Sequence, residues 1–186
     1  MLVAGLALTG VGVAGMILGG LGLGAWDVLH GGLSNRTGMS FGLAYMLVTG
    51  LALLLWWPLR ERPHIGTVLN VFVAGVVIDW ILRWADPVDS LWLRIFLMAG
   101  GILVFALGQG MYLAPDLGAG AREGIMTGLS RRGMSIARAR LLIEASVLVV
   151  GLALGGSIGV GTIVFTVTIG PLVQWSMKLF RSRPNM

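Results

Sequence analysis

Leu21–Arg36 reads LGLGAWDVLHGGLSNR, and Leu117–Arg132 reads LGAGAREGIMTGLSRR. At an offset of 96, eight of the sixteen positions are identical. After one deletion the offset becomes 95, and Gly38-Met39-Ser40 matches Gly133-Met134-Ser135 without a change. The same offset pairs Gly66-Thr67 with Gly161-Thr162, Gly75 with Gly170, and Trp80 with Trp175. Matches in one order and at nearly one offset mark a chain built from two copies of one unit.

The residues around the quoted stretches place that unit in a membrane. Of the 186 residues, 56% are hydrophobic and 11% charged, against about 45–50% and about 25% in a soluble domain. The mean hydropathy is +0.91. Apolar runs at Leu2–Gly19, Phe41–Trp57, Gly66–Trp84, Ile95–Leu113, Ile136–Leu154 and Val160–Leu179 predict six spans, each close to the roughly 20 residues a crossing needs. Spans of this number fill the chain, so residues 1–186 read as a single membrane domain. Repeat one covers about 1–84 and repeat two about 94–179.

Each copy holds three spans, and an odd number turns the second copy upside down. The fold class expected is therefore an all-α polytopic membrane protein made of two inverted three-span repeats. Between the first two spans of each copy stands a short polar helix, at about 25–35 and 121–131. Eleven residues rise about 16 Å, too little to cross a core of ~30 Å. These segments are read as interfacial helices or re-entrant half-helices.

Charge fixes an expected orientation. With the N-terminus inside, Arg60, Arg62, Arg122, Arg131, Arg132, Arg138, Arg140, Lys178, Arg181 and Arg183 are cytoplasmic, and only Arg36, Arg83 and Arg94 are outside. That bias predicts N-in and C-in. It also gives the net charge of +5 a membrane explanation in place of a nucleic-acid one. Trp56, Trp57, Trp84, Trp92 and Trp175 near span ends predict an aromatic belt. Gly15/Gly19 and Gly151/Gly155 predict close helix crossings.

The two quoted stretches also carry a family resemblance. Gly24-Ala25-Trp26-Asp27, Leu29-His30, Gly32-Leu33-Ser34 and Thr37-Gly38 resemble the first-half motif of YczE-like bacterial membrane proteins, in the YczE/YyaS/YitT group. Ala121-Arg122-Glu123-Gly124, Gly128-Leu129-Ser130, Gly159-Val160-Gly161-Thr162 and Ile169-Gly170-Pro171 resemble its second half. The resemblance implies a multi-pass protein of the bacterial inner membrane, and it implies no particular substrate or reaction.

Chemistry is concentrated in few residues. Asp27 and Glu123 are equivalent in the two copies, and His30 and Ser34 follow Asp27 on one helix face. With Arg122 and Ser130 they form the candidate binding set for a small solute or ion, and Asn70 adds an amide inside span three. The plainer reading of the two acids is N-terminal helix capping. Asp79 with Arg83, and Arg140 with Glu144, are candidate intramembrane charge pairs at a spacing of four. There is no Cys, and His30 and His64 stand in no ligand-spaced cluster, so no metal or cofactor is expected.

Inverted repeats with polar half-helices are a plan of secondary transporters. The expected function is thus a small transporter or exporter of an unidentified solute. Its partners are the bilayer and that solute, with a homodimer considered and nucleic acid excluded. The alternative is a non-transporting membrane accessory or scaffold factor. An enzyme is not expected, since neither a paired metal-ligand motif nor a nucleophile elbow occurs.

Overall fold

The computed structural model describes residues 1–115, 117–118 and 120–181, and among these every regular element is a helix. The first half holds α1 (Leu2–Gly19), α2 (Ala25–Thr37), α3 (Phe41–Leu54), the single turn α4 (Trp56–Leu59) and α5 (Ile65–Trp84). The second holds α6 (Leu91–Leu113), α7 (Ala121–Ser130), α8 (Ile136–Ala153) and α9 (Val160–Phe180). All six apolar runs are helical, and the two polar segments are the short helices α2 and α7. Among the described residues five stretches are long and apolar enough to cross a membrane: α1, α3 with α4, α5, α6 and α9. The run that forms α8 differs because Arg138, Arg140 and Glu144 fall within its 18 residues. The expected cytoplasmic charge at Arg183 lies outside the described residues.

Local chemistry sets the helix ends. Ser40 and Ser135, the serines of the matched Gly-Met-Ser triplets, cap α3 and α8. Each hydroxyl accepts a backbone N–H, from Leu43 and Arg138 respectively, at 3.3 Å. Gly20 closes α1 in the left-handed region at φ 57°.

The molecule is built around the contact of α1 with α6. A Cβ on Gly5 would stand 2.8 Å from the Gly108 carbonyl, and one on Gly12 would stand 2.6 Å from that of Gly101. On Gly19 it would stand 2.9 Å from the Arg94 carbonyl. Positions rise along α1 as they fall along α6, so the two helices are antiparallel. Gly5 and Gly12 correspond to Gly101 and Gly108 at the offset of 96, so the two glycine contacts are equivalent under exchange of the copies. In a bilayer, where apolar burial gives no net drive, such backbone proximity supplies the dispersion that holds helices together. The expected crossing glycines are only partly used. Gly15 is looser, at 3.5 Å, and Gly155 ends α8 at φ 93° with nothing beside it.

Two further contacts repeat the same exchange. Gly66 N–H donates to the Leu117 carbonyl at 3.1 Å, and Gly161 N–H donates to that of Leu21 at 2.8 Å. Gly22 and Gly118 have φ 120° and 129°, which an L side chain resists. A Cβ there would also lie 2.7 Å and 2.8 Å from the Thr162 and Thr67 hydroxyls. Each Gly-rich entry thus lies on the first turn of the other copy's last helix.

The short helices are held by the opposite copy as well. α2 lies along α8, with Asp27 level with Glu144 and Gly32 against Gly151 and Gly156. α7 lies along α3 and α4, with Gly124 against Trp56 and Gly128 against Leu59. Both therefore begin partway along a long neighbour and run toward its end. Trp56 departs from the expected aromatic belt. It is 3% exposed, and its Nε1–H donates to the Ala121 carbonyl at 2.8 Å, whereas Trp57, Trp84, Trp92 and Trp175 are exposed. The reason is that Gly124 leaves room for the indole.

Candidate functional site

The N-termini of α2 and α7 meet α3, α5 and α6 around a cavity of about 50 Å³. α2 contributes Trp26, Asp27 and His30, and α7 contributes Ala121, Arg122 and Glu123. Tyr45 and Thr49 come from α3, Asn70 from α5, and Phe105 and Gln109 from α6. Phe105 is eight residues from the end of α6, roughly 12 Å along the helix axis. The cavity is therefore deep within the helix bundle.

The helical period brings Asp27 and His30 to one face of α2. Both are buried, at 6% and 2% exposure. His30 Nδ1 lies 3.3 Å from Asp27 Oδ1, while His30 Nε2 is buried with no hydrogen-bond partner among the described residues. In a neutral imidazole, a carboxylate on Nδ1 selects the tautomer with its proton there, which makes Nε2 an acceptor. The imidazole is wedged by rings, with Tyr45 at 4.9 Å and Phe41 at 6.0 Å between centroids.

On α7 the Arg122 Nε donates to Glu123 Oε1 at 2.7 Å, and the guanidinium lies 5.9 Å over the Phe105 ring. Tyr45 donates its hydroxyl hydrogen to Asn70 Oδ1 at 3.2 Å, which turns the Asn70 amide group to a fixed side. Trp26 Nε1 is a buried donor with no partner among the described residues.

Two further cavities adjoin this one. One, of about 10 Å³, is bordered by Trp26, Asp27, Arg122, Arg140, Glu144 and Phe165. Tyr45, Thr49 and Asn70 correspond to Arg140, Glu144 and Phe165 at the offset of 95, so this is the repeat equivalent of the central cavity, with charges in place of the phenol and hydroxyl and a ring in place of the amide. The other, of about 190 Å³, extends from Asp27 past Gly31 and Phe41 to the exposed Asn35 and Ser157. Asp27 borders all three. At the repeat-related position on the other side, Trp56 stands where the second copy has Gly151, and it packs on Gly124.

Of the residues singled out in the sequence, Asp27, His30, Asn70, Arg122 and Glu123 share the central cavity. Ser34 and Ser130 do not line it. Ser34 donates to the Met39 carbonyl at 2.7 Å, closing the turn after α2, and Ser130 ends α7. Arg140 and Glu144 pair at 2.9 Å beside the smaller cavity.

Asp79 engages a different partner from the Arg83 expected at i+4. Its Oδ1 accepts the Gly42 N–H at 2.7 Å and its Oδ2 accepts the Ser40 hydroxyl at 2.5 Å, so it caps α3. Arg83 instead lies over the Trp84 ring at 5.9 Å. The four backbone donors at a helix start outcompete an exposed arginine. Among the described residues no group of three or more His, Cys, Asp or Glu is placed to hold a metal ion.

Tyr45, Thr49 and Gln109, with the aromatic Trp26 and Phe105, are site residues that sequence reasoning missed. The repeat itself held a signal for two of them, because Tyr45 and Thr49 occupy the positions of Arg140 and Glu144. Gln109 is a lone amide in an apolar helix, and nothing local marks it.

Comparison with known proteins finds one family and several bacterial relatives. The model of a family of unknown function, DUF6198, matches residues 1–178. A Haemophilus influenzae protein described as an uncharacterized protein is 33% identical over 100% of this chain and 86% of its own length. The uncharacterized membrane protein YczE of Bacillus subtilis is 29% identical over 94% of the chain and 82% of its own. The uncharacterized protein YyaS of the same organism is 27% identical over 91% and 86%. No solved structure matches the chain.

Proposed function

The chain belongs to the DUF6198 family and is a YczE-like membrane protein with several apolar helices, and from that premise we propose that it is a small secondary transporter. It carries a small polar solute through a site between two inverted three-span repeats, and it catalyses no covalent reaction. The observation that carries this reading is the central cavity, lined by polar side chains from both halves at the N-termini of two short helices. Half-helices that end at a buried polar site are the recurrent device of inverted-repeat carriers.

The antiparallel pair α1 and α6 supports the inverted relation, as do the exchanged bonds Gly66 to Leu117 and Gly161 to Leu21. Under this reading α8 is the sixth span, α2 and α7 are re-entrant, and residues 1–186 form one membrane domain. Pairing of Arg140 with Glu144 on the cavity side lowers the cost of carrying charges in α8.

The protein lies in the bacterial inner membrane with both termini in the cytoplasm. Arg122 and Arg140 line cavities and leave the topology count, yet the remaining basic residues still favour the same side. In this orientation the wide cavity beside Asp27 opens outward, and Trp56 closes the inner side. Alternating access exchanges the two.

The test is flux of radiolabelled solutes into proteoliposomes containing the purified protein. Saturable uptake of at least one small solute that Asp27→Asn abolishes supports the reading. Liposomes as tight as protein-free controls to every solute class, with correctly folded protein, would leave a scaffold role in its place.

A further inference from the structure

Resting on the transport reading, we infer that the solute is a small monovalent N–H cation, a protonated primary amine or a guanidinium of a few heavy atoms. The central cavity and its smaller neighbour are bordered by three carboxylates, Asp27, Glu123 and Glu144, and by two guanidiniums, Arg122 and Arg140. Arg122 pairs with Glu123 at 2.7 Å and Arg140 with Glu144 at 2.9 Å. Among the described residues no guanidinium pairs directly with Asp27, whose neighbours are His30 at 3.3 Å and, farther off, the Arg122 already engaged by Glu123. Counted formally with neutral imidazole, the wall is short of one positive charge. A buried carboxylate without a counter-charge is costly, so the missing charge belongs to what binds.

The kind of cation follows from the atoms that face it. In the neutral imidazole His30 Nε2 is an acceptor without a partner among the described residues, on a residue only 2% exposed. Imidazole nitrogen accepts readily from an N–H donor, whereas hard cations such as sodium prefer carboxylate, carbonyl and water oxygens. Trp26, Tyr45 and Phe105 add aromatic faces, which attract ammonium and guanidinium groups. Arg122 already lies over one of them, 5.9 Å from the Phe105 centroid. This wall thus holds one N–H cation that belongs to the protein itself. The unpaired Trp26 indole N–H is a donor. It suits an oxygen on the solute or a water that accompanies it. The volume of about 50 Å³ limits the guest to a few heavy atoms, at about 10–15 Å³ of such volume for each water-sized group.

Intrinsic tryptophan fluorescence of the full-length protein in detergent reads binding directly, because Trp26 lines the cavity. The probes are methylammonium, guanidinium, sodium, potassium, acetate and acetamide at fixed ionic strength and neutral pH. Saturable quenching by methylammonium or guanidinium is expected, at least about tenfold tighter than for sodium or potassium, a factor worth about 1.4 kcal/mol. Acetate and acetamide should leave the signal unchanged. Asp27→Asn should weaken amine binding at least about tenfold, and His30→Phe should weaken it as well.

Preference for acetate, acetamide or an alkali ion overturns the inference, as does the absence of a saturable response to both amines. The wild-type selectivity series decides the matter even where a variant fails to fold. Amine binding without flux in liposomes keeps the inference and removes the transport reading. Flux of an anion or a neutral solute without amine binding keeps transport and removes the inference.

Discussion

Asp79 accepts the Gly42 N–H at 2.7 Å, a contact between the end of α5 and the start of α3. Its carboxylate therefore completes a helix N-terminus, where negative charge is favoured by the exposed backbone donors and the helix dipole. An ionisable residue near a span end is thereby accounted for without a solute. The contact is also specific to the first copy, since the equivalent position in α9 is Gln174.

That contact predicts unequal effects for Asp79 and Arg83. Asp79→Asn removes the charge that completes the cap and should cost about 1 kcal/mol. Arg83→Gln should stay within about 0.5 kcal/mol, as surface substitutions do. Thermal melting in detergent measures both. Equal losses, with a double variant no worse than either single one, would mean that the two form an ion pair.

The antiparallel contact of α1 with α6 predicts a contrast between glycines of similar surroundings in the sequence. Gly12→Ala would bring a methyl within 2.5 Å of the Phe105 backbone nitrogen. Overpacking of this kind costs about 1–3 kcal/mol. Gly100→Ala meets nothing within 4 Å and gains roughly 0.5–1 kcal/mol of helix propensity. A lower melting temperature for the first and an unchanged or higher one for the second is the expected pair of results. A tolerated alanine at Gly12 would contradict the crossing.

The Arg122–Glu123 pair makes a prediction about coupling. Both side chains are 27% exposed, so the pair is neither fully buried nor screened by bulk water. Glu123→Gln leaves the guanidinium short of its charge partner and should cost about 1–3 kcal/mol. Adding Arg122→Gln should recover part of that loss, and a double-mutant cycle from denaturation curves measures the recovery. Strict additivity would separate the two residues.

Much of this arrangement was legible in the sequence because membrane helices announce themselves by length and by what interrupts them. The runs ending at Gly19, Trp84 and Leu113 stop at glycine turns or charged linkers, and the helices stop there too. Asp27, His30 and Glu123 were legible because the repeat aligned them and a three-residue spacing put two on one face. Ser34 and Ser130 fit the same pattern but do not line the central cavity: the Ser34 hydroxyl finds the adjacent turn first, and Ser130 ends α7.

The glycines of the α1–α6 contact were harder to see. Thirty glycines give many four-residue spacings by chance, whereas the pairs in use, Gly5 with Gly108 and Gly12 with Gly101, are seven apart on each helix. Trp56 has the sequence of a belt residue, because nothing in a sequence tells which end-of-span indole has a glycine facing it. The Asp79 cap joins residues 37 apart, and the choice between that helix start and a neighbouring arginine depends on how α5 returns beside α3.

Topology supplies the last prediction. Arg36 is exposed where α2 ends, near the Asn35 side chain that donates to the Gly155 carbonyl at 3.0 Å. Arg62 is exposed at the opposite ends, beside the Glu61–Arg131 ion pair at 3.2 Å. These two clusters close α2 on α8 and α7 on α4, so they mark the two faces of the molecule. A cysteine at Arg36 should react with a membrane-impermeant maleimide on intact cells, and one at Arg62 should react only after lysis. The chain has no cysteine of its own to confuse the signal. Labelling of Arg62 from outside, with Arg36 protected, would invert the orientation and make the cavity beside Asp27 open to the cytoplasm. Labelling of both in equal measure would mean that the protein inserts in two orientations.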